Sequence, residues 1–230
     1  MTTDAQEQTA ELEAIRHVDA RRMLVLTIAI VATVAFVILR LVVALSDHYP
    51  LPMDEWWDDL MHATLTDAGV IIAWVPAIVG GTIGMIVIGL LLVLVLWWRR
   101  GRGDAANMAA AIVLVVAIGA PMAAIIARAR PDDSLAERMA TSFPSGHTAV
   151  ATTVVVTLGL LLRRWYVWLA GAVWVVFMMW SRTYLHAHWL SDVIAGMLEG
   201  IVVASLVWCA VEALRDRRAQ RSDEPAPTES

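Results

Sequence analysis

Runs of about twenty apolar residues recur along this chain, and no other feature limits its fold so strongly. That length of helix crosses a hydrocarbon core of roughly 30 Å. A helix of a water-soluble protein would carry one apolar stripe and one polar face, whereas these blocks are apolar all round. Composition agrees: 59% of the residues are hydrophobic and 17% are charged, far from the balance of a soluble domain. The expected class is all-α, a polytopic membrane protein of about six transmembrane helices, since helices satisfy their own backbone groups in lipid.

The blocks fall at residues 23–45, 69–98, 105–127, 146–162, 165–180 and 193–211. The second is too long for an upright span, so it either tilts or begins at the interface near Pro76. Gly80 and Gly84 within it permit close helix packing. A signal peptide at the start would need a shorter apolar core and a small-residue cleavage site, and neither stands out. Outside the membrane domain, residues 23–212, lie polar tails at 1–22 and 213–230. Both are expected to be disordered.

Every basic residue is Arg, and their placement gives the orientation. Arg16, Arg21 and Arg22 precede the first block, Arg99, Arg100 and Arg102 follow the second, and Arg163 and Arg164 separate the fourth from the fifth. Arg215, Arg217, Arg218 and Arg221 follow the sixth, whereas residues 46–68 contain no Arg and several acids. With six spans this puts both termini in the cytoplasm. Trp97, Trp98, Trp165, Trp168, Trp180 and Trp189 sit at span ends, as an interfacial belt should. In residues 54–65, Trp56, Trp57, Leu60, Met61 and Leu65 recur at helical spacing between acids. That pattern suits an interfacial helix, or a lid that guides lipid entry.

Several classes drop out. The net charge of −5 is not that of a nucleic-acid binder. The single cysteine, Cys209, forms no intrachain disulfide, and no Cys/His cluster has zinc spacing in the sequence.

The remaining polar residues near the membrane concentrate in two segments, 128–147 and 181–192, which a six-span topology places on the same side. The first ends in Ser142-Phe143-Pro144-Ser145-Gly146-His147 and then an apolar helix. Pro144 suits a first helical turn, Gly146 lets backbone approach a ligand, and free N–H groups at a helix start bind anions. Ser145 adds a hydroxyl donor, and His147 places an acid/base close by. In the second segment His188 and Asp192 are four apart and share a helical face. A carboxylate there can hold the imidazole Nδ1–H and leave Nε2 as a nucleophile. Arg182 and Arg130 offer planar forks for phosphate oxygens. Chance capping would have to place all these groups at anion-binding spacing on one side.

Arg130-Pro131, then Pro144-Ser145-Gly146-His147, then Ser181-Arg182 with His188 and Asp192 resemble the three signature motifs of the type 2 phosphatidic acid phosphatase superfamily. That superfamily includes bacterial acid phosphatases and vanadium haloperoxidases. The match covers residues 130–192 directly, and the six-span layout extends it over most of the chain. The resemblance implies an integral membrane phosphatase acting on lipid phosphates through a phosphohistidine intermediate, with its active site at the extracytoplasmic face of a bacterial cell membrane. It implies that His188 is the nucleophile, Asp192 its orienting group, and His147 the proton donor to the leaving group and then the activator of water. Arg130, Arg182, Ser145 and the Gly146 N–H would hold the phosphoryl oxygens. No metal and no cofactor are expected. Phosphatidic acid, phosphatidylglycerol phosphate and prenyl diphosphates all fit as substrates. A headgroup phosphotransferase and a non-catalytic phospholipid-phosphate binding or transport protein are the alternatives.

One position departs from the family pattern: Ala123 stands where the first motif opens with a lysine, and Arg128 is the other residue that could supply that charge. Loss of one charge-assisted hydrogen bond, about 1.5–3 kcal/mol, would weaken catalysis by one to two orders of magnitude. His186 is expected to face away from His188, as an interface residue or one that supports the site from behind, and not as a nucleophile. Asp132 and Asp133 are expected to form a solvated turn, and His17, His48 and His62 to have no chemical role. Glu199, seven residues after Asp192, is expected inside the bundle in a structural role.

Overall fold

The computed structural model describes residues 2–136 and 141–222. Eight helices are described: α1 (Thr2–Leu45), α2 (Pro52–Ala63), α3 (Asp67–Val79), α4 (Thr82–Arg100), α5 (Arg102–Ile126), α6 (Gly146–Leu162), α7 (Trp165–Tyr184) and α8 (Leu190–Ser222). No strand occurs among the described residues. Among the described residues, four stretches are long and apolar enough to cross a membrane: Ala20–Leu45, Ile83–Arg100, Arg102–Ile126 and Leu190–Arg218. Asp67–Val79 and Gly146–Leu162 are shorter apolar helices. The result is the architecture of a multi-pass membrane protein.

Burial makes α8 the axis. In its apolar stretch 61% of the residues are buried, against 11% to 17% in the other three. It packs against α1, α5, α6 and α7, while Ile30, Ile83, Leu90, Val113 and Val173 point outward. Exposed apolar surface of this extent calls for a lipid environment. Glycine sets the spacing at the central seam: a Cβ at Gly196 would come within 2.4 Å of the Ser145 carbonyl oxygen, and one at Gly200 within 2.5 Å of that of Ala149. Small residues let the two backbones approach, so the start of α6 is held beside the start of α8.

Three features differ from the sequence expectation. The block at 69–98 is not one tilted span; it breaks between α3 and α4. Gly80 and Gly81 donate back to Pro76 and Ile78 carbonyls and close α3, and a Cβ at Gly84 would meet the Val79 carbonyl oxygen at 2.2 Å. The tails at 1–22 and 213–230 are not disordered throughout. Backbone helix runs from Thr2 into the first span and from the last span to Ser222, and residues 223–230 lie outside the described residues. Helix-forming Ala, Glu and Arg prolong both ladders, and Arg22 pairs with Asp216 at 2.8 Å. Finally, α7 runs beyond residue 180 to Tyr184, so Ser181 and Arg182 belong to its last turn.

The bundle has two unlike ends. At one, Arg215 pairs with Asp104 at 2.6 Å, Arg100 pairs with Asp104 at 3.0 Å, and Arg100 donates to the Leu161 carbonyl at 2.9 Å. At the other, the two motif segments meet. Ser142 N–H donates to Arg128 O at 2.8 Å, Leu135 N–H to Leu185 O at 2.9 Å, and Ser145 N–H to Asp192 O at 3.0 Å. Helix α2 is fastened to this second end: Trp57 Nε1–H donates to Thr183 Oγ1 at 2.9 Å, and the Tyr184 hydroxyl to the carbonyl of Thr64, just beyond α2, at 2.8 Å.

Candidate active site

Arg130, Gly146, His147 and His188 line one cavity of about 290 Å³, together with Thr141, Pro144 and Ala123. Their elements explain the convergence. His188 sits in the turn before α8, Arg130 just beyond α5, and Gly146 and His147 in the first turn of α6. The first hydrogen bond inside α6 runs from Ala149 N–H to Ser145 O at 2.9 Å. The N–H groups of that first turn therefore head the helix as anion donors. A Cβ at Gly146 would meet nothing within 4 Å, so backbone lies open there. Pro144 is not in the first helical turn as expected; it precedes the N-cap Ser145.

The His188 ring is fixed, but not by the group the sequence suggested. Its Nδ1 donates to the Ser142 backbone carbonyl at 2.7 Å, while Asp192 Oδ2 lies 3.8 Å from the same nitrogen. The Asp192 carboxylate accepts from the Trp189 N–H at 2.9 Å and from Arg128 at 2.6 Å. Asp192 thus builds the start of α8 and sits beside the imidazole without being its direct acceptor. With Nδ1–H committed, Nε2 keeps its lone pair, and Arg130 lies 3.3 Å from it. Burial lowers the His188 pKa to about 4; the neighbouring Asp192 opposes this, and the Arg182 and Arg130 charges add to it. At neutral pH the ring is uncharged.

Arg130 also donates through its guanidinium to the Ala187 carbonyl, which fixes that head group beside His188. Arg182, Ser145 and Asp192 are fully buried and are not among the cavity-lining residues. Ser145 Oγ accepts from Thr148 Oγ1 at 3.2 Å. Ala123 does line the cavity, so space exists where the family pattern carries a lysine. Arg128 does not fill it. It is fully buried and donates to Asp192 Oδ1 at 2.6 Å, Ser191 Oγ at 2.7 Å and Asp54 Oδ2 at 2.7 Å. Asp54 in turn accepts from Ser191 N–H at 2.7 Å. This buried cluster clamps α2 to the start of α8, and Asp54 and Ser191 are site-supporting residues that the sequence reading missed. Glu199 is buried in the bundle as expected, its carboxylate 3.0 Å from where a Gly119 Cβ would stand, and Gly119 lines the cavity.

An apolar groove adjoins the cavity. Met85, His147 and Val150 line both, and the groove continues past Ile88, Val154 and Trp174 between α4, α6 and α7.

Residues 104–216 match the PAP2 superfamily. An undecaprenyl-diphosphatase of Sulfolobus acidocaldarius is 32% identical over 120 residues, which are 49% of this chain and 58% of that protein. The chain thus spans less than two thirds of that relative's length. Two solved structures share the fold. A transmembrane PAP2-type phosphatidylglycerolphosphate phosphatase from Bacillus subtilis superposes with a TM-score of 0.70 at 20% identity, covering 82% of this chain and 96% of that one. LpxE of Aquifex aeolicus superposes with a TM-score of 0.61 at 20% identity, covering 69% and 96%.

Proposed function

Starting from a chain that carries a PAP2 superfamily domain over residues 104–216, we propose that this protein is a metal-independent lipid phosphate phosphatase working through a phosphohistidine on His188. The observation that carries the reading is the meeting of His188, Arg130, His147 and the open backbone of Gly146 around one cavity. The lipid phosphate enters that cavity with its tail along the groove past Val150 and Val154. His188 Nε2 attacks phosphorus, the bond to the leaving oxygen breaks, and His147 gives that oxygen its proton. His147 then takes a proton from water, whose oxygen attacks phosphorus. The P–N bond breaks, phosphate departs, and His188 is restored. Arg130, Arg182, Ser145 and the Gly146 N–H stabilise the transferring oxygens, and Asp192 stabilises the charge that appears on His188. Buried Arg182, Ser145 and Asp192 act from behind the cavity wall.

Six spans, cytoplasmic termini and an extracytoplasmic site in the cell membrane complete the proposal. The arginine-rich contacts at the end opposite His188 favour that orientation. A prenyl diphosphate is the favoured substrate, since the similar protein of Sulfolobus acidocaldarius is an undecaprenyl-diphosphatase. The test is phosphate release in detergent with EDTA over phosphatidic acid, phosphatidylglycerol phosphate and prenyl mono- and diphosphates. Turnover strongest on the prenyl diphosphate is expected; silence across the panel would refute the reading.

Two variants probe its parts. His147→Ala should slow release from alkyl phosphates by about 10²–10⁴-fold. With nitrophenyl phosphate, whose leaving group needs no proton, the same variant should release a burst of nitrophenol and then stall as the phosphoenzyme. Steady turnover without a burst would remove His147 from the second step. Val154→Trp should raise KM for a long-chain substrate roughly tenfold, the lost contact of about two methylenes, and leave a short water-soluble phosphate unaffected. Equal effects on both substrates would show that the groove does not hold the tail.

A further inference from the structure

Outside the reaction centre, the same end of the bundle gathers two imidazoles and two carboxylates that the sequence reading left without a role. His62 and Asp58 lie one turn apart on α2, Asp133 follows the Arg130-Pro131 motif, and His186 occupies the turn two residues before His188. His186 Nδ1 lies 2.8 Å from Asp58 Oδ1 and 3.9 Å from Asp133 Oδ2, and His62 Nε2 lies 2.6 Å from Asp133 Oδ2. The two rings face each other with centroids 4.0 Å apart. His186 takes a left-handed backbone, φ 50°, to reach this position. His186 thus faces α2, as an interface residue does, and Asp133 lies beside both rings.

Hydrogen-bond accounting says what the cluster needs. His62 Nδ1–H donates to the Asp58 backbone carbonyl at 2.9 Å, and a carbonyl can only accept. The lone pair of Nε2 therefore points at the Asp133 carboxylate, and two acceptors at 2.6 Å require a proton or a metal ion between them. A backbone carbonyl on the distal imidazole nitrogen is also the usual outer support of a metal-bound histidine. Bonds of 2.0–2.2 Å in a tetrahedral site put donor atoms roughly 3.4 Å apart. The three separations above, 2.6, 2.8 and 3.9 Å, lie within about an ångström of that value. Access is open, because His62 and Asp133 side chains are 45% and 50% exposed.

We propose that Asp58, His62, Asp133 and His186 form a binding site for a divalent transition-metal ion of the zinc class, which cross-links α2 to both catalytic segments. Two imidazole nitrogens and two carboxylate oxygens suit zinc in preference to magnesium or calcium. Binding displaces the bridging protons into solvent. The ion stays outside the phosphoryl-transfer steps, and this inference does not depend on the phosphatase reading.

The test uses the full chain in detergent, stripped with chelator, exchanged into buffer and titrated with Co²⁺ and Zn²⁺. Co²⁺ should give the intense visible absorption of a four-coordinate site, Zn²⁺ should displace it, and Zn²⁺ should raise the unfolding temperature. His62→Ala and Asp133→Ala remove exposed side chains and should fold normally, yet weaken the affinity by about a hundredfold or more. No saturable binding to wild type up to roughly millimolar ion, or equal affinity in wild type and both variants, would overturn the proposal.

Discussion

Replacing His188 with alanine is expected to lower lipid phosphate hydrolysis by about six orders of magnitude, the scale seen when a covalent nucleophile is removed. The expectation rests on geometry. His188 has its Nδ1–H committed to the Ser142 carbonyl, which leaves the Nε2 lone pair facing the cavity beside Arg130 at 3.3 Å. His186, two residues earlier, cannot replace it, because it does not line the cavity. The unfolding temperature of the variant should stay near wild type, since the ring borders a cavity and anchors no helix. Activity within about tenfold of wild type would mean that water attacks phosphorus directly.

The second large effect concerns Arg128. Its guanidinium is fully buried between Asp54 and Asp192, at 2.7 Å and 2.6 Å. Replacing it with Met strands two carboxylates in a site without solvent. Breaking a buried pair from one side costs about 3–5 kcal/mol. Arg128→Met should therefore lower the unfolding temperature in detergent sharply and reduce activity with it, because Asp192 shapes the start of α8 beside His188. Asp54→Asn leaves one cation facing one carboxylate and should cost less, about 1–3 kcal/mol. The order of the two losses is the check. If Asp54→Asn is the more damaging, the cluster is held by the Asp54–Ser191 hydrogen bonds and not by the charge on Arg128.

Much of this site was legible in the chain. Phosphoryl chemistry constrains residue type and local spacing together, so Arg130, Gly146, His147 and His188 could be picked out and do share a cavity. What escaped has physical reasons. The acceptor for His188 is the Ser142 carbonyl, and a backbone carbonyl is present at every residue, so no side-chain pattern announces it. The partner of Arg128, Asp54, lies 74 residues away in a segment whose acids read as the polar face of an interfacial helix. The break between α3 and α4 had its signals in Pro76, Gly80 and Gly81, but unbroken apolarity on both sides concealed them. Asp58, His62, Asp133 and His186 come from three separate segments, and only the folded chain brings them together.

The most direct test of the central claim is to trap the intermediate. Purified protein is mixed with a lipid phosphate radiolabelled at the terminal phosphorus, quenched in alkaline detergent after milliseconds, and digested. An acid-labile, alkali-stable label is expected on the peptide containing His188 and absent from His188→Ala; in His147→Ala it should accumulate when labelled nitrophenyl phosphate, whose leaving group needs no proton, replaces the lipid. Phosphate release with no labelled histidine, or label on a peptide that lacks His188, would contradict it.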